Sequence, residues 1–186
     1  MKKVFLTAGL IAALGLAVLA SVAKPANFAG TWALDKAKSQ GLSQRLQGAD
    51  SVTWTITQDD KTISIDSKVT GGQPPAGAGG GAGGGGGMGG GRGMGMGGPQ
   101  SYNLDGKEVT SEVPNGGSST MKATWSSDGS GLELSSVRTG SRDGQEFKFT
   151  TTDKLSLSGD GKVLTVSRHS ESPRGTQDST LVFNKQ

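Results

Sequence analysis

From residue 28 to the C-terminus, apolar and polar positions alternate in short runs. Val52, Trp54 and Ile56 share one parity, as do Ile63 with Ile65, Leu132 with Leu134, Leu164 with Val166, and Leu181 with Phe183. A period of two places such residues on one face of an extended strand. Turn signals punctuate the second half at Asp105-Gly106, Asn115-Gly116-Gly117, Asp128-Gly129, Asp143-Gly144, Asp160-Gly161 and Pro173-Arg174-Gly175. Asp-Gly and Asn-Gly supply the positive φ that tight hairpins need, so each signal folds the chain back beside the preceding run. The pattern predicts ten strands. The first is Phe28 to Asp35, the second holds Val52 to Ile56, and the third holds Ile63 and Ile65. The rest are Gln100 to Leu104, Lys107 to Val113, Ser119 to Ser126, Gly131 to Thr139, Gln145 to Ser158, Lys162 to Ser170 and Thr176 to Lys185. Leu42 and Leu46, at i and i+4 within Ser39 to Gly48, predict one short helix after the first strand. A meander of this kind leaves two edges unless it closes on itself, so the expectation is an all-β, roughly ten-stranded antiparallel meander barrel.

Between strands three and four the pattern stops. From Gly71 to Gly98, glycine fills 18 of 28 positions and no apolar periodicity survives. Glycine carries the largest ordering entropy, so residues 71–98 are expected to be a disordered loop inserted in a single domain, 24–186. Closing such a loop in place of a four-residue turn costs about 1.7 kcal/mol.

The first residues set the expected compartment. Lys2 and Lys3 precede an uncharged stretch, Val4 to Ala23, that ends in small residues. This is the layout of a signal peptide, and its alanines and the polar segment after it favour cleavage over a retained membrane anchor. With residues 1–23 removed, two lysines go and the formal charge falls from +3 to +1. So small a balance gives no electrostatic reason to seek nucleic acid or an anionic membrane. The chain has no cysteine, which excludes disulfides, thiolate metal sites and a lipidated cysteine. A bacterial protein of the periplasm or the exterior, with no stable membrane anchor, is expected.

Many positions between the bulky residues are Ser or Thr, as in Thr53, Thr55, Thr57, Ser156, Ser158 and Thr165. That suits a barrel wall with one wet face. Aromatics make up only 5% of the chain. So thin an apolar set fits either an incompletely filled interior or a small sandwich.

Two motifs carry a resemblance. Gly30-Thr31-Trp32-Ala33-Leu34 resembles the Gly-x-Trp start of lipocalins and intracellular fatty-acid-binding proteins, the calycin barrels. Together with Leu157-Ser158-Gly159-Asp160-Gly161-Lys162-Val163-Leu164-Thr165, it also resembles secreted bacterial lipocalin-like proteins of unassigned function. The resemblance implies a barrel that binds small hydrophobic molecules. It also implies that the helix and the glycine-rich segment lie near the mouth, the latter as lid or spacer. Fatty-acid-binding proteins often hold a ligand carboxylate with Arg-x-Tyr on the last strand, where this chain has Leu181-Val182-Phe183. A buried carboxylate without a cation is costly. The expected ligand is therefore neutral, or keeps its polar end near the mouth. Cavity candidates are Trp32, Trp54, Tyr102, Trp125, Phe147, Phe149 and Phe183, although core filling is the plainer reading for the three tryptophans. Mouth candidates are Arg138, Arg142 and Arg168, for which solvated strand-end charges are the plainer reading.

Other chemistry finds little support. Met88, Met94 and Met96 are too few for a cuprous site. The single arginine of Gly91-Arg92-Gly93 cannot neutralise enough phosphates to bind RNA. Asp128-Gly129 and Asp160-Gly161 lack the further carboxylates of a calcium loop, and Asp59-Asp60 reads as a turn. His169, the one histidine, has no nucleophile elbow to serve and reads as a solvated polar residue. The expectation is a non-enzyme without metal or cofactor: either a ligand-binding barrel, or a solid structural or envelope-interaction module.

Overall fold

The computed structural model describes residues 25–71, 99–113, 117–142 and 144–186. The expected leader, 1–23, and all of the glycine-rich segment except Gly71 lie outside them, with the three methionines and Arg92.

Ten antiparallel strands form one sheet. They are β1 (Gly30–Leu34), β2 (Ala49–Gln58), β3 (Thr62–Gly71), β4 (Gln100–Asn103), β5 (Val109–Val113), β6 (Gly117–Trp125), β7 (Gly131–Arg142), β8 (Gln145–Leu157), β9 (Val163–Ser172) and β10 (Gly175–Lys185). The order is β4-β3-β2-β1-β10-β9-β8-β7-β6-β5, so the first and last strands pair and curl the meander into a barrel. Trp32 lies opposite Lys185, and Leu34 opposite Phe183. The expected closure is almost reached. Among the described residues β4 and β5 share no ladder, which leaves one seam. Both strands are short, four and five residues, and the wide connection from Leu104 to Glu108 separates them. β3 and β4 pair on either side of residues 72–98, so both flanks belong to the same wall.

The helix is shorter than expected. α1 (Gln44–Gly48) is a single turn with Leu46 buried. The residues before it extend the wall instead: Gln40 pairs with Thr180, and Gly41 turns with a φ of 65°. Ser39 Oγ accepts from the Val182 N–H, 3.0 Å, where β1 has already ended. Lys36 Nζ then donates to the Ala49 carbonyl, 2.7 Å, tying the far end of α1.

Up-and-down connectivity sorts the loops between two ends. The β2–β3, β4–β5, β6–β7 and β8–β9 turns lie at one end, called lower here. The helix, the β9–β10 turn and the strand ends that flank residues 72–98, 114–116 and 143 lie at the upper end. The lower turns carry their own caps. Asp59 accepts from the N–H groups of Lys61 and Thr62, Asp105 from Lys107, Asp128 from Ser130 and Asp160 from Lys162. These Asx turns are what Asp supplies before a reversal, and they confirm Asp59-Asp60 as a turn.

Residues before β1 seal the lower end. Ala26 N–H donates to the Gly129 carbonyl at the β6–β7 turn, while Gln58 at the end of β2 bonds both Ala26 and Phe28. Phe28 is thereby held across the opening, fully buried and stacked on Trp125 with ring centroids 6.2 Å apart. Above it sits one apolar core of Trp32, Trp54, Ile56, Ile63, Leu132, Leu155, Leu164, Val166, Leu181 and Phe183.

Candidate functional site

Strand register sets the inward side chains of β6 to β10 in rows. Trp125, Leu132, Leu155, Val166 and Leu181 form an apolar row. One step higher come Ala123, Leu134, Asp153, Arg168 and Ser179. Above these the interior changes character: Met121, Ser136, Thr151 and Ser170 form the third row, and Ser119, Arg138 and Phe149 the fourth. Leu132, Leu134, Leu155, Val166 and Leu181 are buried, whereas Ser136, Thr151 and Ser170 are only half-buried. On β7 to β9 the wall therefore continues upward with hydroxyl side chains inward, facing Leu46, Ala49 and Val52, which are buried on α1 and β2.

The boundary is a buried ion pair. Arg168 donates through Nε and Nη2 to the two oxygens of Asp153, both at 2.6 Å, and each side chain is 11% exposed. The Arg168 guanidinium also lies 5.6 Å from the Trp54 ring centroid. Since β9 and β2 are separated by β10 and β1, that contact crosses the barrel. Burial works against the Arg168 charge, but the Asp153 charge and hydrogen bonds outweigh it and hold the guanidinium above its ordinary pKa. Tyr102 reaches the same layer from β4. Burial raises its phenol pKa and the Asp153 charge adds to this, so it stays neutral and donates to Gln100 Oε1 at 3.0 Å. Arg168 is thus no solvated strand-end charge, as its sequence position suggested. It is the paired floor of the upper interior.

The remaining candidates divide between floor and mouth. Trp32 is fully buried, gives its indole N–H to the Phe28 carbonyl at 2.9 Å, and lies under Lys185. Trp54 packs on Phe183 with centroids 4.7 Å apart, and Trp125 stacks on Phe28. These four belong to the sealed lower core. Phe147 and Phe149 stand at the upper end, 5.4 Å apart, with Phe149 44% exposed. Phe147 covers Gly140 so closely that a Cβ there would strike its ring. Arg138 points inward in the fourth row, with Nε buried and no hydrogen-bond partner among the described residues. The Arg142 side chain lies outside the described residues, though its backbone ends β7.

Asp153 and Ser119 escape a reading by residue type. Both are buried polar residues, each 8% exposed, on inward parity. A signal for Asp153 exists: the Asp160-Gly161 turn, once taken as a hairpin, places residue 153 opposite residue 168. The outer face of the same strands holds a shallow groove of about 430 Å³ bordered by Gln40, Thr152, Lys154, His169, Asp178 and Thr180. Its lining also includes Arg168 and Ser179, but neither Asp153 nor Ser119. His169 is exposed there, with Nδ1 2.6 Å from Asp178 Oδ1 and Nε2 3.5 Å from Glu171. Among the described residues no group of three or more His, Cys, Asp or Glu is placed to hold a metal ion, and no helix is long and apolar enough to cross a membrane.

No protein-family model matches this chain, and no curated protein does. Among solved structures it is similar to the zebrafish ileal bile-acid-binding protein, crystallised with cholic acid. The two are 13% identical with a TM-score of 0.46, and the likeness covers 86% of this chain and 98% of that one.

Proposed function

We propose that the upper half of the barrel binds a small molecule with an apolar body, as a carrier or receptor rather than an enzyme. The observation that carries this is the change in inward residues above the Asp153–Arg168 pair. On β7 to β9 the third row presents Ser136, Thr151 and Ser170 inward, and the fourth row adds Ser119 beside Arg138, with Phe147 and Phe149 at the rim. A barrel that served only as a solid module would fill those rows as it fills the rows below. The ligand is expected to be uncharged along its length, with any polar end toward the mouth, because Leu181 and Phe183 leave the last strand apolar. Lys2, Lys3 and the uncharged stretch after them support an exported, periplasmic or extracellular protein.

The test is native mass spectrometry of the purified protein before and after organic extraction, paired with melting scans over a panel of hydrophobic dyes. A ligand at a hundredfold excess over Kd should stabilise the fold by about 2.7 kcal/mol. An unchanged mass and flat melts across the panel would remove the proposal. They would leave the ligand-free structural or envelope-interaction module.

A further inference from the structure

Among the described residues, two arginines face the barrel interior, and only one of them is matched by a carboxylate. Arg168 is matched by Asp153 in a two-point ion pair. Arg138 sits two rows higher on β7, directly between Ser119 on β6 and Phe149 on β8. Its Nε is buried and no described residue accepts from it. Among the described residues of β5 to β9, no carboxylate stands inward in its own row or the row below. The inward neighbours on β5 to β9 are Ser111, Ser119, Met121, Ser136, Thr151 and Ser170, while Glu112, paired with Ser118, has outward parity. A buried N–H without an acceptor is costly to keep, and a guanidinium is the side chain least able to relieve that by losing its proton.

We infer that Arg138 anchors an anionic oxygen group on the ligand, holding it head-up at the level of the mouth. This rests on the binding reading above. It specifies the polar end at the mouth left open there: an amphiphile of one negative charge, whose apolar body points down toward the Asp153–Arg168 floor. The side edge of a guanidinium, Nε–H with the neighbouring Nη–H, offers two parallel donors that match the two oxygens of a carboxylate. Ser119, buried directly opposite, places a hydroxyl beside the same spot. Four residues separate Arg138 from Leu134, so head and floor lie roughly 13 Å apart along the strand. That length suits a medium-chain tail. The orientation follows from where the charges sit: the floor pair is already neutral as a unit, so a second anion there would meet Asp153, whereas one at Arg138 meets an unanswered cation.

The experiment compares dodecanoate with dodecanol, by calorimetry, on the full mature chain and on three variants. Wild type should prefer the acid by roughly tenfold to a hundredfold, the range of one charge-assisted contact. Arg138→Met should collapse the acid-to-alcohol ratio to near one, and Arg138→Lys should restore part of it. Lys122→Met, which removes an exposed cation from the outer face, should leave the ratio unchanged. Circular dichroism and melting confirm that each variant is folded. Equal binding of both probes by wild type, or a ratio that survives Arg138→Met, overturns the inference while the binding reading stands. Failure of wild type to bind either probe overturns both.

Discussion

The two halves of this barrel are made by the same strands yet solve opposite problems. In the lower half, inward positions are filled by Leu132, Leu155, Leu164, Val166 and Leu181, and Phe28 closes the opening from outside the sheet. Four Asp-capped turns hold that end with bonds between neighbours in sequence. In the upper half, the same faces of β7, β8 and β9 carry Ser136, Thr151 and Ser170, and the aromatic pair stands at the rim. On β7 to β9 the wall is thus kept with hydroxyl side chains inward, while Leu46, Ala49 and Val52 supply buried apolar side chains at the upper ends of α1 and β2. Asp153 and Arg168 mark the line between them.

Breaking that line should have the largest effect. Asp153→Ala would strand the Arg168 charge in a site only 11% exposed and should destabilise the fold by about 3–5 kcal/mol. Replacing both together, Asp153→Leu with Arg168→Met, should cost less than the single change, because no buried charge then lacks its counter-ion. Denaturant titration of the three proteins checks this. A double variant no better than Asp153→Ala would mean that the pair holds more than itself in place.

The contrast sharpens one row either side of the pair. Leu155→Ala in the sealed half should cost about 2–5 kcal/mol, the range for a cavity in a packed core. Thr151→Ala, four residues along the same face of β8, should fall within about 0.5 kcal/mol, as at sites with little packing to lose. The measurement is again unfolding free energy. Comparable losses at the two positions would show the upper interior to be as tightly filled as the lower.

Most of the architecture is legible in the sequence because it is written locally. Period-two spacing and Asp-Gly turns specify strands, their faces and the hairpin register, and all nine strand pairings join consecutive strands or β1 with β10. What is not local is harder to read. Leu42 and Leu46 have helical spacing, yet residues 39–41 are held by β10, more than a hundred positions away, and only one turn of helix remains. The open seam depends on the shortness of β4 and β5, which alternation alone does not bound. Within the candidate site, Arg168 looks like a strand-end charge until pairing sets Asp153 opposite it and Trp54 across the interior. Parity identifies an inward residue; only register identifies its partner.

The two ends should also answer acid differently. Hydrogen bonds from Ser126 and Ser130 bring the Asp128 pKa down to about 2 from an ordinary 3.8, and the caps at Asp59, Asp105 and Asp160 are lowered in the same direction. A lowered carboxylate contributes stability that is complete above 3.8 and is lost as pH falls toward 2. The lower turns should therefore loosen first between those values. Asp128→Asn should flatten the melting temperature over that window and leave it unchanged in shape near neutrality. A wild-type profile already flat from pH 4 to 2 would show that the caps contribute nothing measurable.

The smallest effect belongs to the upper half and has the opposite sign. Hydrogen bonds to Asp178 first, and to Glu171 second, raise the His169 pKa above 6.5 on the outer face of β9. A raised histidine contributes stability that is complete below 6.5 and is lost as pH climbs through its folded value. The group is solvent-exposed, so screening keeps the contribution slight and salt should erode it further. Imidazole resonances followed by NMR from pH 5 to 9 should give an apparent pKa above 6.5, which drops toward 6.5 in Asp178→Asn. Amide protection in the β9–β10 hairpin, corrected for the base-catalysed rise in intrinsic exchange, should fall over the same rise in pH, while that of the lower turns stays constant. If the imidazole titrates at its ordinary value with Asp178 present, the contact does not form in solution, and the opposed pH behaviour of the two ends reduces to the acid response of the lower turns alone.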